Sequence, residues 1–272
     1  MYLTVSKREI SAITESHPGN KALVAALAKA GPSPVDLTCL MAQYVQFNSI
    51  FGAGVAHLAG LIATRQDMFK DNNESISVLA DRSYEVAAEI FFAAIDEFRR
   101  KKTHRSMAQD SLKGFVEFFK MTPAEASLRC RVNVNTSAAV RAVTEGYCFN
   151  REITDTDLFS AIGFHIGSEL LADQEYNILD RYLKQEHPTL VTFLQRAGVY
   201  SWVAVHTTVE ADHCDAALQC ANSALSFYTG DVSKAYGFIL KGLKHFAKVQ
   251  ARFMHSLSAT GCAEPEREAF DI

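Results

Sequence analysis

The stretch Val205-His206-Thr207-Thr208-Val209-Glu210-Ala211-Asp212-His213 decides how this chain is read. At about 100° per residue of an α-helix, His206, Glu210 and His213 fall within roughly 60° of arc, so two imidazoles and a carboxylate converge from one face. Such a trio is half of a site, because a redox-active metal pair held among helices takes about six side-chain ligands. Upstream, Glu97 and His104 in Asp-Glu-Phe-Arg-Arg-Lys-Lys-Thr-His stand about two turns apart, which in an unbroken helix returns them to one face within roughly 20°. Glu169, in Phe-His-Ile-Gly-Ser-Glu-Leu-Leu-Ala-Asp, is an acid in an apolar helical segment, where burial of its charge requires a cation or a partner. The candidate ligands are therefore Glu97, His104, Glu169, His206, Glu210 and His213.

Around these residues the pattern is helical. Only 6 prolines and 14 glycines interrupt 272 residues, apolar positions recur at three and four, and no segment alternates as a strand. Helices are expected near 19–30, 34–66, 76–101, 103–120, 123–131, 136–147, 155–186, 188–198, 200–227 and 230–257. If the break near 102 is real, Glu97 and His104 meet across a turn, and tertiary folding replaces helical phase as the reason. Ser33-Pro34, Thr122-Pro123 and His187-Pro188 each set proline in a first turn, and Thr154 with Asp157 reads as a capping box. An irregular connector is expected between Cys130 and Thr154, and a loose tail from Ser258. The expectation is an all-α bundle forming one helical domain over residues 1–272, with 258–272 as a flexible tail.

Composition narrows the function. A hydrophobic content of 48% is enough for a sizeable core without staples. The net charge of -4, with both signs mixed, argues against a nucleic-acid partner, and the basic run Arg99 to Lys102 reads as a solvated helix end. Cys39, Cys130, Cys148, Cys214, Cys220 and Cys262 form no Cys-x-x-Cys pair and read as reduced thiols of a cytoplasmic protein. The amino terminus lacks an apolar signal core, and the stretch Phe51 to Ala63 is interrupted by His57 and glycines, so neither secretion nor a membrane span is expected.

The order Glu-x6-His, then a Glu about sixty-five residues on, then His-x3-acid-x2-His resembles the haem-oxygenase-like diiron oxidases, over residues from about 35 to 256. That resemblance implies a bundle of about seven core helices. It assigns Glu97 and His104 as the first ligand pair, Glu169 as the middle carboxylate, and His206, Glu210 and His213 as the last trio. Two departures stand out. Glu210 occupies a place where the family more often has Asp, and the stretch Phe98 to Thr103 is shorter than the family's usual turn. Glu89, Asp96 and Asp173 are alternatives for a further carboxylate.

Carboxylate and imidazole donors without thiolates suit iron or manganese, and an open O/N shell suits dioxygen activation. The expected cofactors are two ferrous ions, with O2 as cosubstrate and an external reductant as electron donor. The resemblance to stand-alone members, such as enzymes that form 2-nitroimidazole, implies N-oxygenation of a small biosynthetic amine, including a heteroaromatic amine carried to a nitro product. The alternatives are a diiron oxidase cleaving C–C or C–N bonds of an amino acid or fatty acid, and a metal-free thiaminase-like or haem-binding bundle. Gln43, Gln46 and His57 share a face of the second helix and are candidates for substrate contact; His165, one turn before Glu169, is a candidate to orient it or meet substrate. Tyr176, Tyr200, Trp202 and Tyr228 are candidate cavity walls. The partners expected are a small-molecule amine or amino-acid-derived substrate and an electron donor, with no membrane; a homodimer is the common arrangement for a soluble enzyme.

Overall fold

Several helices in this protein begin where the sequence supplies an acceptor for orphaned first-turn N–H groups. Ser33 Oγ accepts from Asp36 N, Asn133 Oδ1 from Thr136 N, and Thr103 Oγ1 from Ser106 N. Thr154 and Asp157 form the expected capping box, and Thr122 with Glu125 forms a second. The structure, a computed structural model, describes residues 3–15, 17–74, 80–98 and 101–259. Its helices are α1 (Lys7–Thr14), α2 (Pro18–Ala30), α3 (Pro34–Phe47), α4 (Phe51–Ala63), α5 (Ser83–Glu97), α6 (His104–Phe118), α7 (Pro123–Arg129), α8 (Val134–Gly146), α9 (Asp155–Glu186), α10 (Pro188–Arg196), α11 (Ser201–Phe227) and α12 (Val232–Ala259). The protein is an all-α bundle.

Several expected boundaries change. The helix expected over 34–66 is divided by a 3-10 turn at Asn48–Ile50, where Asn48 Nδ2 donates back to Tyr44 O. The helix expected from 76 begins only at Ser83, because β1 (Lys70–Asp71) pairs antiparallel with β2 (Ala80–Asp81); this short ladder corrects the all-helix reading. The break near 102 is real: α5 stops at Glu97 and α6 starts at His104 behind the Thr103 cap. The same-face argument for Glu97 and His104 is thereby replaced by one from tertiary folding. Helix α1 was not expected, whereas α8 matches the helix expected over 136–147; the irregular parts of the Cys130 to Thr154 region are 130–133 and 147–154, where Cys148 and Asn150 adopt positive φ of 60° and 58°. Helix α12 continues through Ala259, while the remainder of the tail with Cys262, residues 75–79, and Arg99 and Arg100 of the basic run lie outside the described residues.

Three long helices organise the core. Helix α12 packs along α9 and also meets α2 and α8, whereas α11 packs on α9, α5 and α6. The α9–α12 contact is close enough to demand glycine: a Cβ on Gly163 would lie 1.8 Å from Ile239 O, and one on Gly242 would lie 1.9 Å from Ser160 O. One hydrophobic cluster joins these helices, with Trp202, Tyr44, Phe47, Phe164 and Phe246 among its fully buried side chains. The segment Pro34–Ala63 is long and apolar enough to cross a membrane, with a mean hydropathy of 1.3. Here it is a core element, packed against α2, α5, α6, α8 and α9 with Leu37, Met41, Leu58 and Ile62 fully buried. None of the five described cysteines is in a disulfide.

Candidate metal centre

Four helices bring the six expected side chains into one interior region: Glu97 closes α5, His104 opens α6, Glu169 sits mid-α9, and His206, Glu210 and His213 line one face of α11. His104, Glu169, His206, Glu210 and His213 are all buried and Glu97 is half-buried. They form two trios, each with one donor atom per residue and all donors within 4.8 Å of one another: Glu97, His104 and His206, and Glu169, Glu210 and His213. Glu210 joins them. Its Oε1 lies 3.6 Å from His206 Nε2, and its Oε2 lies 3.5 Å from His213 Nδ1. Glu97 Oε1 lies 2.8 Å from His104 Nδ1 and 4.0 Å from His206 Nε2, and Glu169 Oε2 lies 3.4 Å from His213 Nδ1.

The chemistry of these donors fits a bound cation. His206 Nδ1 donates to Trp202 O at 2.6 Å, which leaves Nε2 as an acceptor. Burial, reinforced by neighbouring His104, pulls the His206 pKa down to about 3, so the ring is neutral. Its Nε2 lone pair thus faces carboxylate oxygens of Glu210 and Glu97 at 3.6 and 4.0 Å, too far for hydrogen bonds. Ligands each about 2.0–2.2 Å from a shared ion are spaced in this way. Around the second trio, burial and the nearby Glu169 charge hold the Glu210 carboxyl well above its ordinary range. Burial opposes ionisation of Glu169 too, but His165 and His213 outweigh it and bring Glu169 down to about 2. Burial likewise opposes charge on His213, yet its bonds to Glu169 and Glu210 lift it to about 10. A proton on Glu210 and a charge on His213 therefore balance acids that a cation would balance instead.

The surroundings separate the remaining candidates. His165 is buried with Nδ1 3.2 Å from Glu169 Oε1 and 3.2 Å from the Tyr147 hydroxyl, so it stands directly against Glu169. A cavity of about 50 Å³ adjoins the trios, walled by Phe47, Phe51, Ala108, Tyr176, Trp202 and Phe246, with Asn48, Ser49 and Arg105 also on its lining. Tyr176 stacks on His206 at 4.2 Å between centroids. Tyr200 and Tyr228 do not line this cavity; their hydroxyls donate to Asp180 and Asp155, each at 2.8 Å. Gln43 does not line this cavity either: it donates to Arg131 O and accepts from Asn133 N and Thr136 Oγ1, tying α3 to the start of α8. His57 stacks on Phe149 at 4.4 Å, and neither it nor Gln46 lines the cavity. The turn at 48–50 separates His57 from the helix of Gln43 and Gln46, which removes the basis for their shared face.

Of the three further acids, Asp173 binds Asn177 and Glu89 belongs to neither trio, whereas Asp96 Oδ2 lies 3.5 Å from both His104 Nε2 and His213 Nε2. Two buried polar residues on the cavity side were missed in the sequence. Glu175, which lines the cavity, accepts from the Tyr44 hydroxyl and from Gln250 Nε2, each at 2.8 Å, and Gln250 Oε1 is 2.7 Å from His17 Nε2. Glu175 hides in the sequence because Asp173, Gln174 and Asn177 make its neighbourhood look like a solvated face. Burial raises its pKa to about 7 despite those two bonds.

The fold is shared with a CADD-like protein of unknown function from Nostoc punctiforme, with a TM-score of 0.53 over 94% of this chain and 100% of that one, at 14% identity. No family model and no curated protein matches the chain. At that identity the likeness concerns the fold, and the functional argument rests on the site.

Proposed function

We propose that this protein is a non-haem diiron oxygenase of the haem-oxygenase-like class that uses O2 to oxidise a small biosynthetic amine at nitrogen. The observation that carries the reading is the pair of buried trios joined through Glu210, with the neutral His206 Nε2 facing carboxylates beyond hydrogen-bond reach. Glu97, His104 and His206 would hold one ion, and Glu169, Glu210 and His213 the other. When bound, a ferrous pair supplies the electrons that activate O2, and an external reductant restores it. The chain itself orients the ligands and excludes water. Trp202 O fixes His206, His165 steadies Glu169, and the aromatic walls leave a cavity of about 50 Å³, room for only a few water-sized groups. A small substrate, such as an amine or a heteroaromatic amine carried to a nitro product, suits that size.

Arg105 on the cavity lining favours a second reading, in which the substrate carries a carboxylate and is cleaved at a C–C or C–N bond as an amino acid or fatty acid would be. The test is to load the purified protein anaerobically with ferrous iron, quantify the metal, and add oxygen with a panel of small amines and amino acids. A gain of oxygen atoms in the product mass supports N-oxygenation, and loss of carbon dioxide or ammonia moves the assignment to fragmentation. Protein that retains far fewer than about two irons per chain and consumes no oxygen removes both readings.

A further inference from the structure

We infer that Asp96 is a shared positioning residue, whose single Oδ2 faces the outer nitrogen of one histidine from each trio, close enough to take the N–H of both once ions fix the rings, and so couples the two ion sites. The inference rests on the two-ion reading and adds to it a residue outside the six ligands. Its geometry is particular. Asp96 Oδ2 lies 3.5 Å from His104 Nε2 and 3.5 Å from His213 Nε2. Both rings turn their other nitrogen inward: His104 Nδ1 toward Glu97 at 2.8 Å, and His213 Nδ1 toward Glu169 and Glu210 at 3.4 and 3.5 Å.

A neutral imidazole has one N–H. When Nδ1 gives its lone pair to an ion, the proton must sit on Nε2, and a carboxylate there fixes the tautomer and the ring orientation. His206 obeys the same logic with its nitrogens exchanged, since its Nδ1 donates to Trp202 O. His206 thus has a bonded acceptor behind it, and the outer nitrogens of the other two histidines both face Asp96 Oδ2 at 3.5 Å.

Position distinguishes this role from direct ligation. The cavity beside the trios is lined by Glu97, His104, Glu169, His206 and Glu210 and excludes Asp96, whereas Asp96 and His213 line a separate outer groove with Phe92, Ile95, Val209 and Asp212. Asp96 approaches His213 from that side, and its side chain is only 17% exposed. Because one oxygen serves both rings, its loss should loosen both ions together.

The test compares wild type with Asp96→Asn, Asp96→Ala and Asp96→Glu, each titrated anaerobically with Co2+ against a chelator and followed by the ligand-field absorption of each bound ion. Circular dichroism and thermal melts of the metal-free proteins check folding. The expected result is two bound ions in wild type, a loss of about 10- to 100-fold in affinity at both sites for Asp96→Ala, a smaller loss for Asp96→Asn, and partial recovery for Asp96→Glu. Unchanged affinities in a folded Asp96→Ala protein, or loss of one ion with the other untouched, overturn the inference and leave the two-ion reading standing. Wild type that binds no Co2+ overturns both.

Discussion

Two buried polar regions lie side by side in this bundle, and they are built on opposite principles. In the His17–Gln250–Glu175–Tyr44 chain each acceptor meets a donor: Glu175 receives the Tyr44 hydroxyl and the Gln250 amide, and Gln250 Oε1 lies against His17 Nε2. In the Glu97–His104–His206 and Glu169–Glu210–His213 trios, His104 Nδ1 meets Glu97 Oε1 at 2.8 Å, but the neutral His206 Nε2 faces only carboxylate oxygens, and several separations fall between 3.4 and 4.0 Å. A closed hydrogen-bond network satisfies itself and fixes the packing of its helices. An open one leaves donor atoms spaced as ligands of a shared cation would be. Burial of polar groups therefore does not by itself distinguish the two regions; the donor–acceptor balance does.

The largest expected effect separates the two regions by metal content. Glu210→Gln, which alters the residue common to both trios, should weaken retention of iron more than about 100-fold, beyond the range of an outer partner, in anaerobic loading with chelator competition. Glu175→Gln should leave iron content at the wild-type level. Equal metal loss in the two variants would erase the distinction.

The closed network has its own signature in pH. Burial raises Glu175 from an ordinary value of 4.5 to about 7, so between those values the folded protein binds more protons than the unfolded chain. Stability contributed by protonated Glu175 is present below about 4.5 and falls as pH rises through 7. The difference amounts to about 3 kcal/mol. Denaturant unfolding at pH 5 and pH 8 should show wild type losing roughly that much relative to Glu175→Gln; parallel behaviour of the two proteins would mean that Glu175 is not held neutral.

Gly163→Ala tests whether the regions depend equally on the α9–α12 contact. The added Cβ meets Ile239 O, and overpacking of this kind costs about 1–3 kcal/mol in thermal or denaturant unfolding. Because α12 carries Gln250 and none of the six ligands, the folded fraction should keep its iron. The smallest effect belongs to Tyr44→Phe, which removes one of two donors to Glu175. It should cost about 1–2 kcal/mol at pH 8, where Glu175 is ionised, and less at pH 5.

Much of this architecture was legible from periodicity and caps. Helix α9 is found at the expected 155–186, bounded by the Thr154–Asp157 box and by Pro188, because those signals act over a few residues of backbone. The turn at Asn48–Ile50 and the Lys70–Asp71 pairing with Ala80–Asp81 were not legible, because long-range packing selects them over local propensity. Gln43 and His57 show the same limit from the other side: a polar residue on an apolar helix looks alike in sequence whether it meets a substrate or the backbone of the next helix. Here Gln43 binds the segment Arg131–Thr136, and His57 stacks on Phe149.

The sequence alone determined that the chain is helical and that His206, Glu210 and His213 share a side of one helix, since both follow from the 3.6-residue turn. It also supplied the donor types, oxygen and imidazole without thiolate, which are the types that suit iron or manganese. Only the tertiary structure decided that Glu97 and His104, on separate helices, close the first trio, that Glu210 reaches both trios, and that Asp96 stands behind two of the histidines. Those relations join residues far apart in the chain, and the packing of α5, α6, α9 and α11 against one another sets them.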